Sequence, residues 1–273
     1  MKKRLATAVG LSLATLLAGC SSVTPTTAPT TSPGQFSTPP GGQRTGTVPA
    51  EVQGDQTFSL QAVSGDDGGI DFAAYDASME FALAAVNEYW ARTMPRKFGM
   101  EWIPPGEFIA YYPPEDSGPT CGTEQLGPEN AVYCYDGQSD FIAWDEPGLM
   151  LPFYEEKGDM ATAVVLAHEF GHGAQARLGL SDQFPLTIES ELQADCFAGS
   201  WAAWADQRGL LGADAVDQAI DAVVSVADPE GVPWNAPDAH GLPEERLQAF
   251  ADGADGGALA CVDLYYPGFS QGG

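Results

Sequence analysis

The chain has 273 residues, with 38 Asp and Glu against 11 Lys and Arg and a formal charge of −27. The length suits one sizeable domain with appendages. The charge argues against nucleic acid, against electrostatic binding to anionic membranes and, more weakly, against acidic substrates; a solvated acidic surface that favours solubility is the simpler reading.

The first residues, Met1-Lys2-Lys3-Arg4, are basic, and residues 5–18 form an apolar stretch too short to span a bilayer comfortably. The stretch ends in Leu17-Ala18-Gly19-Cys20, which resembles the bacterial lipoprotein lipobox. By that resemblance residues 1–19 are a signal peptide and the mature chain starts at Cys20, lipidated on its thiol. Two or more acyl chains there would anchor it stably at the extracytoplasmic face of the cell membrane. Residues 20–50 are dominated by Thr, Pro, Ser, Gly and Gln and bury too little apolar surface to offset the entropy of ordering, so they read as a disordered tether. The folded domain is expected over residues 51–273.

From 71 to about 97, Phe72, Tyr75, Met79, Leu83, Val86 and Trp90 recur at helical spacing. Residues 108–112, 131–135 and 140–144 read as strands of a small twisted sheet. The last of them is the candidate for an exposed edge, to which an extended peptide could add as a further strand, with a buried strand of no substrate role as the equal alternative. Besides Cys20 there are four cysteines, Cys121, Cys134, Cys196 and Cys261, which allow three pairings in an exported protein. Cys121–Cys134, closing a hairpin-sized loop, and Cys196–Cys261, tying the C-terminal part to a core helix, are favoured.

The most informative stretch is Ala167-His168-Glu169-Phe170-Gly171-His172, inside an apolar run that Gly158-Asp159 can start and Gly179 can end. Residues four apart on a helix share a face, so His168 and His172 can aim two imidazoles at one point with Glu169 beside it. A second helix is expected over 187–207, where Glu191 and Asp195 also lie four apart. A catalytic zinc site with two His needs a third protein ligand and an open position for water. Glu191 can be that ligand, with Glu189 as the alternative, and Asp195 can accept the ring N–H of a coordinating His. Ala194, Ala198, Gly199 and Ala202 would let the second helix approach the first closely.

These blocks, Ala167 to His172 with Gln175 and then Glu191-Leu192-Gln193-Ala194-Asp195-Cys196-Phe197-Ala198-Gly199, resemble the neutral zinc metallopeptidases of bacteria, of gluzincin type. His240-Gly241 with Arg246 and Phe250 is similar to a later block of that family. The chain departs from the family at Gly173-Ala174, where His-Val is common, but this touches no proposed ligand. The resemblance implies an α+β, zincin-like domain, mainly helical, with a small sheet before the zinc helix. It also implies Zn2+ held by His168, His172 and Glu191, and hydrolysis of peptide bonds in protein or peptide substrates. Glu169 would act as general base toward a zinc-bound water.

His240, the only remaining His, is nominated as a donor to the oxyanion, with a Tyr as the alternative. Arg246 has three readings: orienting the His240 loop, binding a substrate carboxylate, or pairing with an acidic neighbour. Residues 214–227 read as an amphipathic helix with Ala215, Val216, Ala219, Ile220, Val223 and Val224 on one side, and a last helix opens at Pro243. A monomer is expected. Two rival functions are a catalytically weak binding lipoprotein and a zinc hydrolase acting on a non-peptide amide.

Overall fold

The computed structural model describes residues 69–114 and 117–266 and the backbone of residues 44–46. The stretch expected to be a signal peptide, Cys20 and the remainder of the expected tether lie outside the described residues. Among the described residues there are six strands: β1 (Arg44–Gly46), β2 (Glu107–Tyr111), β3 (Thr120–Cys121), β4 (Glu124–Gln125), β5 (Ala131–Tyr135) and β6 (Asp140–Asp145). Six α-helices accompany them, besides two short π-helical segments: α1 (Phe72–Thr93), α2 (Leu151–Lys157), α3 (Asp159–Leu178), α4 (Thr187–Gln207), α5 (Ala215–Ser225) and α6 (Pro243–Tyr265). The architecture is α+β and mainly helical, as expected.

Asp71 starts α1 by accepting the backbone N–H groups of Ala73 and Ala74. Along the apolar stripe of α1, Tyr75, Met79, Leu83, Val86 and Trp90 are core, whereas Phe72 is exposed. Trp90 stacks on Trp102 and meets Phe197 of α4 edge-on at 5.1 Å, while Phe170 of α3 stacks on Phe108 of β2 at 5.6 Å. Aromatic contacts of this geometry add to their area burial.

The main sheet runs β1-β2-β6-β5, with β2 and β6 parallel and the other pairs antiparallel. Two expectations change here. First, β1 lies inside the stretch expected to be a disordered tether; strand pairing uses only backbone groups, so a polar composition does not prevent it. Second, β6 is an interior strand and β5 is the edge. The core of β6, Phe141-Ile142-Ala143-Trp144, is buried on both faces. Ile142 and Trp144 join the helical core, whereas Phe141 and Ala143 join Ile109, Tyr111 and Cys134 on the opposite face. The β3–β4 hairpin reaches that second face through the Cys121–Cys134 disulfide.

The α4–α6 pair is the most closely packed in the fold. A Cβ at Gly199 would overlap the backbone of Phe250, and one at Gly253 the backbone of Cys196. Gly199 therefore serves the approach to α6, not to α3 as expected. Cys196–Cys261 crosslinks the same pair over a sequence separation of 65 residues. Closing a loop of that size restricts the unfolded chain by about 4 kcal/mol. Replacing both cysteines with Ser should lower the unfolding free energy by about that amount in denaturant titrations.

On α5 the buried side is Ala215, Ala219, Ala222 and Val223, whereas Val216, Ile220 and Val224 are exposed. The three alanines and Val223 face the neighbouring elements, where space is tight, and Val216, Ile220 and Val224 face out.

Candidate metal centre

Helix α3 carries the His-Glu-x-x-His motif through the middle of the core. Gly158, at φ 96°, starts it, and a Cβ there would collide with the Gln218 amide that accepts the Met160 N–H. Gly179, at φ 70°, ends it in the left-handed conformation. Gly171 sits between the two histidines, and a Cβ there would lie 3.0 Å from the carbonyl oxygen of Ala194. That absence of a side chain lets α4 lie against α3 where Glu191 and Asp195 face the histidines.

The three expected ligands converge. His168 Nε2 and His172 Nε2 are 3.1 Å apart. Glu191 Oε2 lies 3.1 Å from the former and Glu191 Oε1 3.3 Å from the latter. One donor atom from each residue lies within 4.8 Å of the other two. Glu189 is elsewhere: its carboxylate accepts the Leu186 N–H at the start of α4.

Both imidazoles are themselves held. Asp195 Oδ1 accepts from His168 Nδ1 at 2.8 Å, which fixes the tautomer that leaves Nε2 free for a metal. His172 Nδ1 is 2.9 Å from Gln175 Oε1, and Gln175 Nε2 donates to the carbonyl of Ser190. Arg246, 3% exposed, donates to both Asp195 oxygens, through Nε at 2.7 Å and Nη2 at 2.8 Å, and through Nη1 to the carbonyl of Val226. Of the three readings of Arg246, pairing with an acidic neighbour is the one found. The support given by Gln175 to His172 is missing from the sequence reading, although its position three residues beyond that His, on the same helix face, is a signal.

Glu169 is buried beside the cluster, and its Oε2 accepts the backbone N–H of Tyr133, on edge strand β5, at 2.6 Å. Tyr133 is clamped in turn. Its hydroxyl bonds Asp140 and Arg177, and Arg177 also grips both Asp140 oxygens and the carbonyl of Ile103. His240 stands apart. Its side chain is 52% exposed and its charged partner is Asp228, at 3.6 Å. The adjacent Gly241 packs near Leu192 and Arg246.

The electrostatics suit a cation. Burial opposes the charged form of His168, but Asp195 and Glu191 overcome it and raise its pKa to about 10. Burial pushes Glu191 up, yet His172 and His168 hold it well below the usual carboxylate range. Asp195 is likewise held down against burial, chiefly by Arg246. Two imidazole nitrogens, each oriented by a second partner, and one carboxylate are the donor set of a zinc site with an open position. Metal must displace the His168 proton, so affinity should rise with pH up to about 10. At pH 8 zinc binding should release at least one proton, measurable by calorimetry in buffers of different ionisation enthalpy. Zinc uptake without proton release would contradict this account.

Comparison with known proteins agrees with the geometry. A family model described as "Putative neutral zinc metallopeptidase" matches residues 47–265. The uncharacterized protein YpfJ of Escherichia coli K12 is 27% identical over 209 residues, covering 67% of this chain and 69% of its own, and YpfJ of E. coli O6:H1 strain CFT073 matches to the same extent. No solved structure matches the chain. With four fifths of its length inside the family model and the three-ligand cluster at its centre, the chain belongs to the neutral zinc metallopeptidase family.

Proposed function

We propose that this protein is a zinc endopeptidase acting outside the cytoplasm, held to the membrane through lipid on Cys20. The observation that carries the reading is Glu169: a buried carboxylate beside the three ligands, held by the backbone of an edge strand. A structural metal site has no use for such a group.

Zinc, when bound by His168, His172 and Glu191, supplies Lewis acidity that acidifies a water and polarises the scissile carbonyl. Glu169 takes the proton of the attacking water and passes it to the leaving amine, as general base and then acid. The Tyr133 N–H keeps the carboxylate oriented for both transfers. Asp195, backed by Arg246, holds the His168 ring, and Gln175 holds the His172 ring. An extended peptide laid along β5 would pair, as an added strand, with those backbone groups facing away from β6 that Glu169 leaves free. This moves the docking edge from β6, which both neighbours cover, to β5. His240 is assigned as the second oxyanion donor. In support, it adjoins Gly241, which packs on Leu192 of α4 and on Arg246. The role requires its imidazole to leave Asp228 when substrate binds.

Digestion of a peptide library by the zinc-loaded protein tests the reading. Internal cleavage that a chelator abolishes is expected, and His240→Ala should lower kcat about 10²–10³-fold at unchanged zinc content. An absence of cleavage by the fully loaded protein would favour the binding-module rival. An unchanged kcat in His240→Ala would take the oxyanion role away from that residue.

A further inference from the structure

A second site lies at the far end of α4. At the C-terminal end of α1 a cavity of about 340 Å³ is lined by Arg92, Arg96 and Lys97, with Tyr89 and Ser200 among its wall residues and Trp204 at its side. Ser200 and Trp204 are nine and thirteen residues beyond Glu191 on the same helix, about 14 to 20 Å along its axis at roughly 1.5 Å per residue. The cavity is thus separate from the metal centre.

Its charge runs against the rest of the molecule. In a chain of formal charge −27, three basic side chains line one cavity and a fourth, Arg208, stands close by, stacked on Trp204. Glu88, almost fully buried, is shared by Arg92 at 2.8 Å and Arg208 at 3.0 Å, so one carboxylate faces two guanidinium groups. Among the described residues, Arg96 and Lys97 have no ion-pair partner. Asp255 is the acidic residue of the lining, and the local balance remains positive by about two charges.

Part of this basic character complements the carbonyl end of α1. That effect fades within a turn, and it explains neither a concave cavity nor the two cations left over. The opposite wall adds polarity. Helix α6 breaks at Gly257, at φ 74° and ψ 177°, and Gly256, Gly257 and Ala258 form part of the lining where the helix restarts. Tyr89 Oη and Ser200 Oγ share a hydrogen bond of 2.6 Å in the same wall and add hydroxyl groups to it.

We propose that this cavity binds a phosphate dianion, free or as the monoester head of a small molecule. Arg92, Arg96 and Lys97 supply the charge, and Trp204 offers a flat apolar wall to whatever the phosphate is attached to. Guanidinium groups match phosphate oxygens by paired N–H donation, and the surplus of two charges suits a dianion better than a single carboxylate.

The test is calorimetric titration of the full chain with inorganic phosphate at low ionic strength, repeated with Arg96→Ala/Lys97→Ala and with His168→Ala/His172→Ala. Arg96 and Lys97 are exposed, so their removal leaves the core intact. Saturable binding is expected in the native protein and in the His variant, at least about tenfold weaker in the Arg/Lys variant, and weakened by salt. Glycerol phosphate and vesicles of phosphatidic acid then separate the two sources of the group. Tighter binding of the soluble ester marks a free metabolite, whereas vesicle binding lost in the Arg/Lys variant marks a lipid headgroup. Equal phosphate affinity in the native and Arg/Lys proteins, or loss of binding only in the His variant, would overturn the proposal.

Discussion

Replacing Glu169 with Gln should reduce peptide hydrolysis by about 10²–10⁴-fold while leaving zinc content and the folded structure unchanged. Gln has the same shape, and its side-chain oxygen can still accept the Tyr133 N–H that the carboxylate now accepts at 2.6 Å. It cannot take a proton from water. The variant therefore removes acid–base function and spares packing in a region where Glu169 is only 5% exposed. Zinc measured by elemental analysis beside kcat on a cleaved peptide gives the two readings needed. Activity close to that of the native enzyme would mean that another group moves the proton. Zinc lost together with activity would mean that Glu169 supports the metal centre instead of the reaction.

Replacing Arg246 with Met is expected to destabilise the protein by about 3–5 kcal/mol. Arg246 lies on α6, yet both of its guanidinium contacts with Asp195 are buried, and Asp195 is 2% exposed. Without Arg246 a carboxylate is left in a dry interior with only His168 to answer it. Zinc affinity should fall as well, by about 10- to 100-fold, because Asp195 is what orients the His168 ring. Adding Asp195→Asn to Arg246→Met removes the stranded charge and should recover part of the stability, as coupled neighbours do. Denaturant unfolding of the two single variants and the double variant checks this. Strictly additive losses would show that the pair is not coupled.

The two predictions differ in how visible their residues are in the sequence. His168, Glu169 and His172 are legible because helical spacing alone places them, and Glu191 with Asp195 repeats that spacing on a second helix. The choice of Glu191 over Glu189 follows from the same geometry, since residues four apart share a face and Glu189 falls on another, where it caps α4. The helix ends are legible too: Gly158 and Gly179 both adopt positive φ. Arg246 is different. Its readings stay open because the choice depends on a contact 51 residues away in the chain.

The sheet shows the same limit. Strands β2, β5 and β6 appear where the alternating and apolar runs predict them, whereas β1, β3 and β4 carry no such run, and the strand order does not follow from any local pattern. One clue is present in hindsight: Phe141-Ile142-Ala143-Trp144 is a continuous apolar run, as befits a strand covered on both faces, whereas β5 interleaves Tyr and is largely half-buried. The exposed side of α5 fails for a related reason. Six apolar positions span too much of that helix to single out one stripe, and the close neighbours select its Ala side.

The amino-acid sequence by itself determined which residues could form a metal centre, because a helix converts spacing into direction and the metal's needs are few. Tertiary structure alone decided what holds them. Gly171 admits α4 to α3, the Gly199–Gly253 contact and a disulfide fix α6 against α4, and through that packing Arg246 reaches Asp195. The β5 backbone reaches Glu169 because strand order puts β5, not β6, at the edge. These contacts join segments distant in the chain, where close packing of whole elements, and not local periodicity, sets which atoms meet.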